Sequence, residues 1–348
     1  MKFIPQFEPY IKYSYIWEVV KQLYSGWIGH GPAVQEFEKE IKNITGADHV
    51  LSTTSGTTAL IMAINSLGLK KGSTILFPSY TFLAGANASR FMGYRVKLVD
   101  IKADTLCMDP DKIEVTPEVS AIMFVNHNGY VGPDVGRVRD VCDQNNIPMI
   151  EDSSQALGMQ KAGQTGDVGV FSFSVPKIIS TGQGGAVITN NKAIASECRK
   201  IRDQGGNWRK TKIHEFVGIN LKFNDIQASY GIPQLKNIGG ILKKRKRLFD
   251  YYRKHLEIID YGYESSWMIL YRTKKADEII EALAAKNIQA VKYYKPVNNN
   301  PPYKTNKKYP VAQEAYEQVL YLPSSLTLGQ KHVNLICKVI KKKESNNG

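Results

Sequence analysis

Short apolar runs alternate with amphipathic stretches along the first two thirds of the chain. Apolar residues recur at the helical period over 14–25, 33–45, 57–67, 81–92, 134–146, 191–204 and 224–254. Between them lie runs too short for helices and rich in Val, Ile and Phe: His49–Ser52, Thr74–Phe77, Val96–Val99, Ala121–Val125, Pro148–Asp152, Val168–Phe173 and Gly185–Thr189. Strands separated by helices must be joined by crossovers over a sheet face. The pattern therefore predicts an α/β protein with a mainly parallel seven-stranded sheet covered on both faces. Such sheets gather their ligands just beyond the carboxyl ends of the strands.

Past residue 256 the rhythm changes to a strand at Trp267–Tyr271, a helix over Ala276–Lys286, an Asn- and Pro-rich loop at 295–310 and a last helix over Leu328–Lys342. This predicts a smaller α+β domain. Residues 1–235 are expected to form the large domain and 236–348 the small one, with the first residues of the chain packing on the small domain.

Composition narrows the class. With 348 residues, 43% apolar and 22% charged, the chain is an ordinary globular protein. No run of about 18 uncharged apolar residues occurs and the start lacks a signal-peptide core, which predicts a cytoplasmic protein without membrane contact. Cys107, Cys142, Cys198 and Cys337 are far apart, so reduced thiols are expected rather than a metal site. The formal charge of +14 favours anionic partners. The basic clusters Lys243–Arg247 and Lys341–Lys343 lack the aromatic interleaving of nucleic-acid binders, so a nucleotide-linked metabolite fits better than nucleic acid.

Chemistry concentrates at Lys177, the only charged residue between Asp167 and Lys192. It follows the run Val168–Phe173 and precedes the turn Thr181-Gly182-Gln183-Gly184-Gly185. A lysine attacks a carbonyl only when its amine is neutral, so it must be desolvated or placed near other positive charge. Its neighbours Phe171, Phe173, Val175, Ile178 and Ile179 suit the first of these. Upstream, Ser55-Gly56-Thr57-Thr58 closes a strand and opens a helix, a place for a phosphate or for a simple N-cap. Glu151-Asp152-Ser153-Ser154-Gln155 sets a carboxylate at the same kind of edge, as a helix cap or as the partner of a pyridine nitrogen. Lysine, carboxylate and phosphate cradle together point to a pyridoxal cofactor.

The chain resembles the DegT/DnrJ/EryC1/StrS group of pyridoxal-phosphate aminotransferases that act on nucleotide-linked keto-sugars. The likeness runs through Ser25-Gly26-Trp27, Gly31-Pro32, Ser55-Gly56-Thr57, Pro78–Phe82, Glu151-Asp152, Gln155–Gly158, Phe171–Phe173 with Lys177, Gly218-Ile219-Asn220, Asp225–Ala228 and Leu322-Pro323. It implies the fold-type I aminotransferase fold with Lys177 as Schiff-base lysine and proton carrier. Asp152 is then the partner of the pyridinium nitrogen and Gln155 lies by the ring hydroxyl. Gly56, Thr57 and Ser172 bind the phosphate, Phe82 stacks on the ring, and Asn220 reaches the cofactor of the other subunit of a homodimer.

The resemblance further implies amino transfer from L-glutamate to C4 of a dTDP- or UDP-linked 4-keto-6-deoxyhexose, with viosamine and perosamine synthases as the nearest functional types. Amination at C3 is the competing reading, and a non-catalytic pyridoxal-binding regulator is the reading from another class. The chain departs from the family pattern at Gln183 (often Glu), at Lys222 (often Arg) and at Pro296-Val297-Asn298 (often Pro-Leu-His). Substrate contacts are accordingly open. Trp27 either lines the sugar pocket or packs at a helix end, and His127 lies either near the ring or in a loop. Lys222 and Lys292 face the diphosphate or solvent, and Asn298 stands where the family's histidine does.

Overall fold

The computed structural model describes residues 3–206, 211–261 and 266–345. Its main element is a seven-stranded sheet made of β1 (His49–Thr53), β2 (Thr74–Pro78), β3 (Arg95–Val99), β4 (Val119–Val125), β5 (Met149–Asp152), β6 (Val168–Ser172) and β7 (Gly185–Thr189). The strand order is β1-β7-β6-β5-β4-β2-β3. Only β7 runs antiparallel to its neighbours; all other pairings are parallel or place β1 in the common direction. Side chains along β4 divide by the two-residue period of a strand. Ala121, Met123 and Val125 enter one core while Ile122 and Phe124 enter another, so both faces are buried, as expected of a parallel sheet.

Around the sheet lie α1 (Tyr13–Tyr24), α2 (Pro32–Thr45), α3 (Gly56–Ser66), α4 (Ala84–Phe91), α5 (Pro133–Gln144) and α6 (Lys192–Arg202). The expected single helix over 224–254 is two, α7 (Asp225–Lys236) and α8 (Ile238–Arg253). The chain leaves helical geometry at Asn237 (φ −105°, ψ 20°), between Pro233, which cannot donate a backbone bond, and the weak helix formers Gly239 and Gly240.

In the C-terminal part, β8 (Ile269–Arg272) pairs antiparallel with β9 (Val319–Leu322) beneath α9 (Ala276–Ala284) and α11 (Gln330–Ser345). The strand starts two residues later than expected because Asn128 captures the preceding backbone: Trp267 N–H donates to its carbonyl and Met268 N–H to its side chain, at 2.9 and 2.8 Å. Helix α10 (Pro310–Gln318) and β9 were not anticipated. The amides of Val311 and Ala312 donate to the Asp100 carboxylate, a distant partner that no local pattern reveals. Ile4 pairs with Ile288 and joins the apolar cluster formed around β8, β9 and the C-terminal helices.

Several ends are secured by buried carboxylates. Asp225, wholly buried, accepts from the amides of Gly31 (2.9 Å), Ala33 (3.2 Å) and Val34 (2.9 Å), closing the start of α2. Gly31 is required because a Cβ there would sit 2.6 Å from an Asp225 oxygen. Asp225→Ala strips three buried N–H groups of their acceptor. The expected loss is about 2–3 kcal/mol of stability, read as a lower denaturation midpoint at unchanged m-value, with Asp225→Asn intermediate.

Candidate active site

Three chain segments meet at one sheet edge because of strand register. Gly185, the first residue of the antiparallel β7, sits opposite Thr53 on one side and Ser172 on the other. The ends of β1 and β6 thus flank a single glycine, and Asp152 ends β5 one strand further along. A Cβ on Gly185 would overlap the Ser55 carbonyl, and one on Gly56 would lie 2.8 Å from the Ser172 Cβ. These two glycines let the start of α3 lie directly against the strands. Ser55 caps α3 and forms a capping box with Thr58, which leaves the amides at Gly56 and Thr57 beside the cavity.

That cavity, about 260 Å³, is lined by Gly56, Thr57, Phe82, Asp152, Gln155, Ser172 and Lys177, together with Gln183, Trp267, Tyr293 and Tyr294. The loop carrying Lys177 is held from several sides. Lys177 N–H donates to the Ser174 carbonyl at 3.0 Å, and Thr181 N–H to Phe173 at 2.9 Å. The Gln234 amide accepts from Ser180 N–H and donates to the Ser180 carbonyl, at 3.0 and 2.7 Å. Gly182 turns the chain at φ +76°, a left-handed conformation that favours glycine.

The amine of Lys177 lies 4.3 Å from the centre of the Trp267 ring. Burial lowers its pKa from 10.5 to about 8, while the Asp152 carboxylate opposes a further fall. Asp152 itself is raised by burial, against the hydrogen bond from Ser154 N–H at 3.0 Å and the charge of Lys177. Gln155 accepts from Asn128 N–H at 2.6 Å and donates to the Tyr294 hydroxyl at 3.3 Å, which fixes its side chain at the cavity wall. Its neighbour Glu151 has a different task. Fully buried, it accepts from the amides of Gly163, Thr165 and Gly166 and from the Asn126 side chain, and so ties the following loop to β5.

The proposed substrate contacts do not gather here. His127 lies outside the cavity lining, packed among Tyr80, Tyr294 and Tyr321 with its Nε2 3.0 Å from the Tyr321 hydroxyl. Burial depresses its pKa to about 3, so it stays neutral. Lys292 pairs with Asp277 at 2.6 Å and Lys222 with Asp203, and neither lysine is part of the cavity lining. Trp27 and Asn220 are exposed, and Asn298 lies on a short turn at Val297–Asn299 outside the lining. Sequence reasoning missed Trp267, Tyr293 and Tyr294. They are supplied by segments far downstream, and only an unusual density of aromatic residues around 293 marked the place.

A sheet of this topology, with an amine of lowered pKa, a buried carboxylate and an anion-binding helix start in one cavity, defines an enzyme that handles a phosphorylated carbonyl cofactor. A model of the DegT/DnrJ/EryC1/StrS aminotransferase family matches residues 9–341. GDP-perosamine synthase of Escherichia coli O157:H7 is 29% identical over 98% of both chains. UDP-4-amino-4,6-dideoxy-N-acetyl-beta-L-altrosamine transaminase of Campylobacter jejuni is 31% identical over 76% of this chain and 77% of the relative. The crystal structure of the aminotransferase TlmJ from Streptoalloteichus hindustanus superposes with a TM-score of 0.92 over 99% of both chains at 25% identity. The chain belongs to the DegT/DnrJ/EryC1/StrS aminotransferase family and is a pyridoxal phosphate-dependent sugar aminotransferase.

At pH 7 a pKa of about 8 in place of 10.5 raises the neutral fraction of Lys177 by roughly two orders of magnitude. The rate at which cofactor-free protein reacts with pyridoxal phosphate should therefore rise with pH through a midpoint near 8, followed by stopped-flow absorbance. Asp152→Asn should move that midpoint lower, because it removes the charge that favours the ammonium form. A wild-type midpoint above about 10, the range of an ordinary lysine, would contradict the assignment.

Proposed function

We propose that this enzyme transfers the amino group of L-glutamate to C4 of a nucleotide-linked 4-keto-6-deoxyhexose, releasing 2-oxoglutarate and a 4-amino-4,6-dideoxy sugar. The observation that carries this reading is the meeting of Lys177, Asp152 and the start of α3 in one cavity of a chain from this family. Support for C4 comes from the Campylobacter relative, whose name specifies a 4-amino-4,6-dideoxy sugar on UDP. The Escherichia relative is named for a GDP sugar, so the expected dTDP or UDP nucleotide rests on the first of these two. Amination at C3 is the competing reading.

The residues at the cavity fit pyridoxal phosphate by their chemistry: amides at a helix start for the phosphate, a carboxylate for a ring nitrogen and a desolvated amine for the aldehyde. When bound, the cofactor supplies a carbonyl that takes up the amino group and a ring that accepts carbanion electrons. In this reading the amides of Gly56 and Thr57 and the Ser172 hydroxyl hold the phosphate. Asp152 keeps the ring nitrogen protonated, Gln155 stands at the ring hydroxyl and Phe82 covers one face. Lys177, once displaced by the donor, accepts the proton lost from the Cα of glutamate and later delivers a proton to the sugar carbon. Trp267, Tyr293 and Tyr294 limit water at the reacting atoms.

The active unit in this proposal is a cytoplasmic homodimer. Among the described residues no helix is long and apolar enough to cross a membrane. Helix α1 and the segment after it expose Ile16, Trp17, Leu23, Tyr24, Trp27 and Ile28, an apolar surface suited to a second copy. Val217 and Ile219 are exposed beside Asn220, which supports a role for this asparagine at the partner's cavity.

Two measurements test the reading. Wild-type protein with pyridoxal phosphate should absorb near about 410 nm and convert on adding L-glutamate to a band near about 330 nm, and Lys177→Ala should do neither. The aminated form should then turn over C4-keto sugar nucleotides at least about tenfold faster than C3-keto ones, a preference of about 1.4 kcal/mol; the reverse preference would replace C4 by C3. Asn220→Ala should weaken cofactor binding about tenfold while sedimentation still reports a dimer.

A further inference from the structure

Arg245 is a buried cation without a counter-charge among the described residues. It lies on α8 at 5% exposure, and its single hydrogen bond among the described residues runs from the guanidinium to the Trp267 carbonyl at 2.5 Å. Among the described residues its Nε has no partner and no carboxylate lies within ion-pair distance. Burial alone acts on it, pulling its pKa from 12.5 down to about 10, with no acidic group opposing the shift. Removing a guanidinium from water costs several kcal/mol unless another charge or a full set of acceptors compensates. One carbonyl acceptor is far from a full set.

Beside Arg245 is a small cavity of about 20 Å³, whose other polar lining residues are Glu8, Tyr10, Lys177, Ser180, Tyr230 and Gln234. It has room for one occupant of ionic or water size. The polar groups there are largely committed. Gln234 bonds the Ser180 and Tyr230 carbonyls, and the Ser180 hydroxyl accepts from Gly182 N–H. Arg245 brings a lasting positive charge to the lining, and the one acidic residue there, Glu8, is exposed. We propose that this cavity is a small-anion site, occupied by a monovalent inorganic anion such as chloride that Arg245 holds by its free N–H groups.

The site would be structural in its action. The anion neutralises Arg245, Arg245 holds the Trp267 carbonyl, and the Trp267 indole donates to the Pro176 carbonyl at 2.5 Å, immediately before Lys177. A bound ion therefore steadies the aromatic wall over the amine from a second cavity that Lys177 also lines.

Bromide serves as the probe. Crystals of the full chain grown in sodium bromide should show an anomalous peak in the cavity within hydrogen-bond distance of the Arg245 Nε. In solution the melting temperature should rise by several degrees as bromide or chloride replaces gluconate at constant ionic strength, since an ion that binds only the folded state stabilises it. Arg245→Met, which keeps the bulk without the charge, should fold and lose that dependence. A water in place of the peak, an unchanged melting temperature in wild type, or the same anion response in Arg245→Met would each overturn the proposal. So would Glu8→Gln melting many degrees below wild type with an empty cavity, because the neutralising group would then be the Glu8 carboxylate.

Discussion

The close approach of two backbone segments at Gly56 and Gly185 sets everything else at this site. The antiparallel β7 starts at the edge where β1 and β6 end, so one glycine separates Thr53 from Ser172 and the start of α3 rests on the strands without intervening side chains. A side chain at either glycine would push the helix outward and separate its amides from Ser172. The anion-binding helix end and the lysine loop share one cavity for that steric reason. The alternation of glycine and small hydroxyl residues in Ser55-Gly56-Thr57 and Gly184-Gly185 answers this geometry, more than any need for flexibility.

Electrostatics then divides the charged residues by task. Burial moves Lys177 toward the neutral form and Asp152 toward the neutral acid, and each resists the other's shift by its charge. The balance leaves the amine reactive near neutral pH while the carboxylate remains available to a ring nitrogen. Three buried carboxylates elsewhere in the fold accept several backbone donors each. Glu151, Asp225 and Asp100 anchor a loop and two helix starts, and their hydrogen bonds leave them no freedom for chemistry. Adjacent residues Glu151 and Asp152 thus have opposite roles, decided by which side of β5 each faces.

Much of this was legible in the chain itself. All seven strands of the main sheet lie where the apolar runs placed them, and Lys177, Asp152, Gln155, Gly56, Thr57, Ser172 and Phe82 do meet in one cavity. Where the reading went astray, a distant partner was responsible. Asn128 delayed β8, Asp100 created the start of α10, and pairing with β8 turned a four-residue run into β9. His127 gave no local sign that three tyrosines would enclose it, and the ion pair of Lys292 with Asp277 required two separate segments of the chain to fold together.

The sequence by itself determined the order of strands and helices, the lysine, carboxylate and phosphate-cradle motifs, and the family to which they belong. These depend on local periodicity and on spacing within short segments, which a linear chain carries openly. Tertiary structure alone decided the aromatic wall of Trp267, Tyr293 and Tyr294, the lowered pKa of Lys177 and the burial of Arg245. Those properties arise from desolvation by residues remote in sequence, and burial does not exist until the domains have packed.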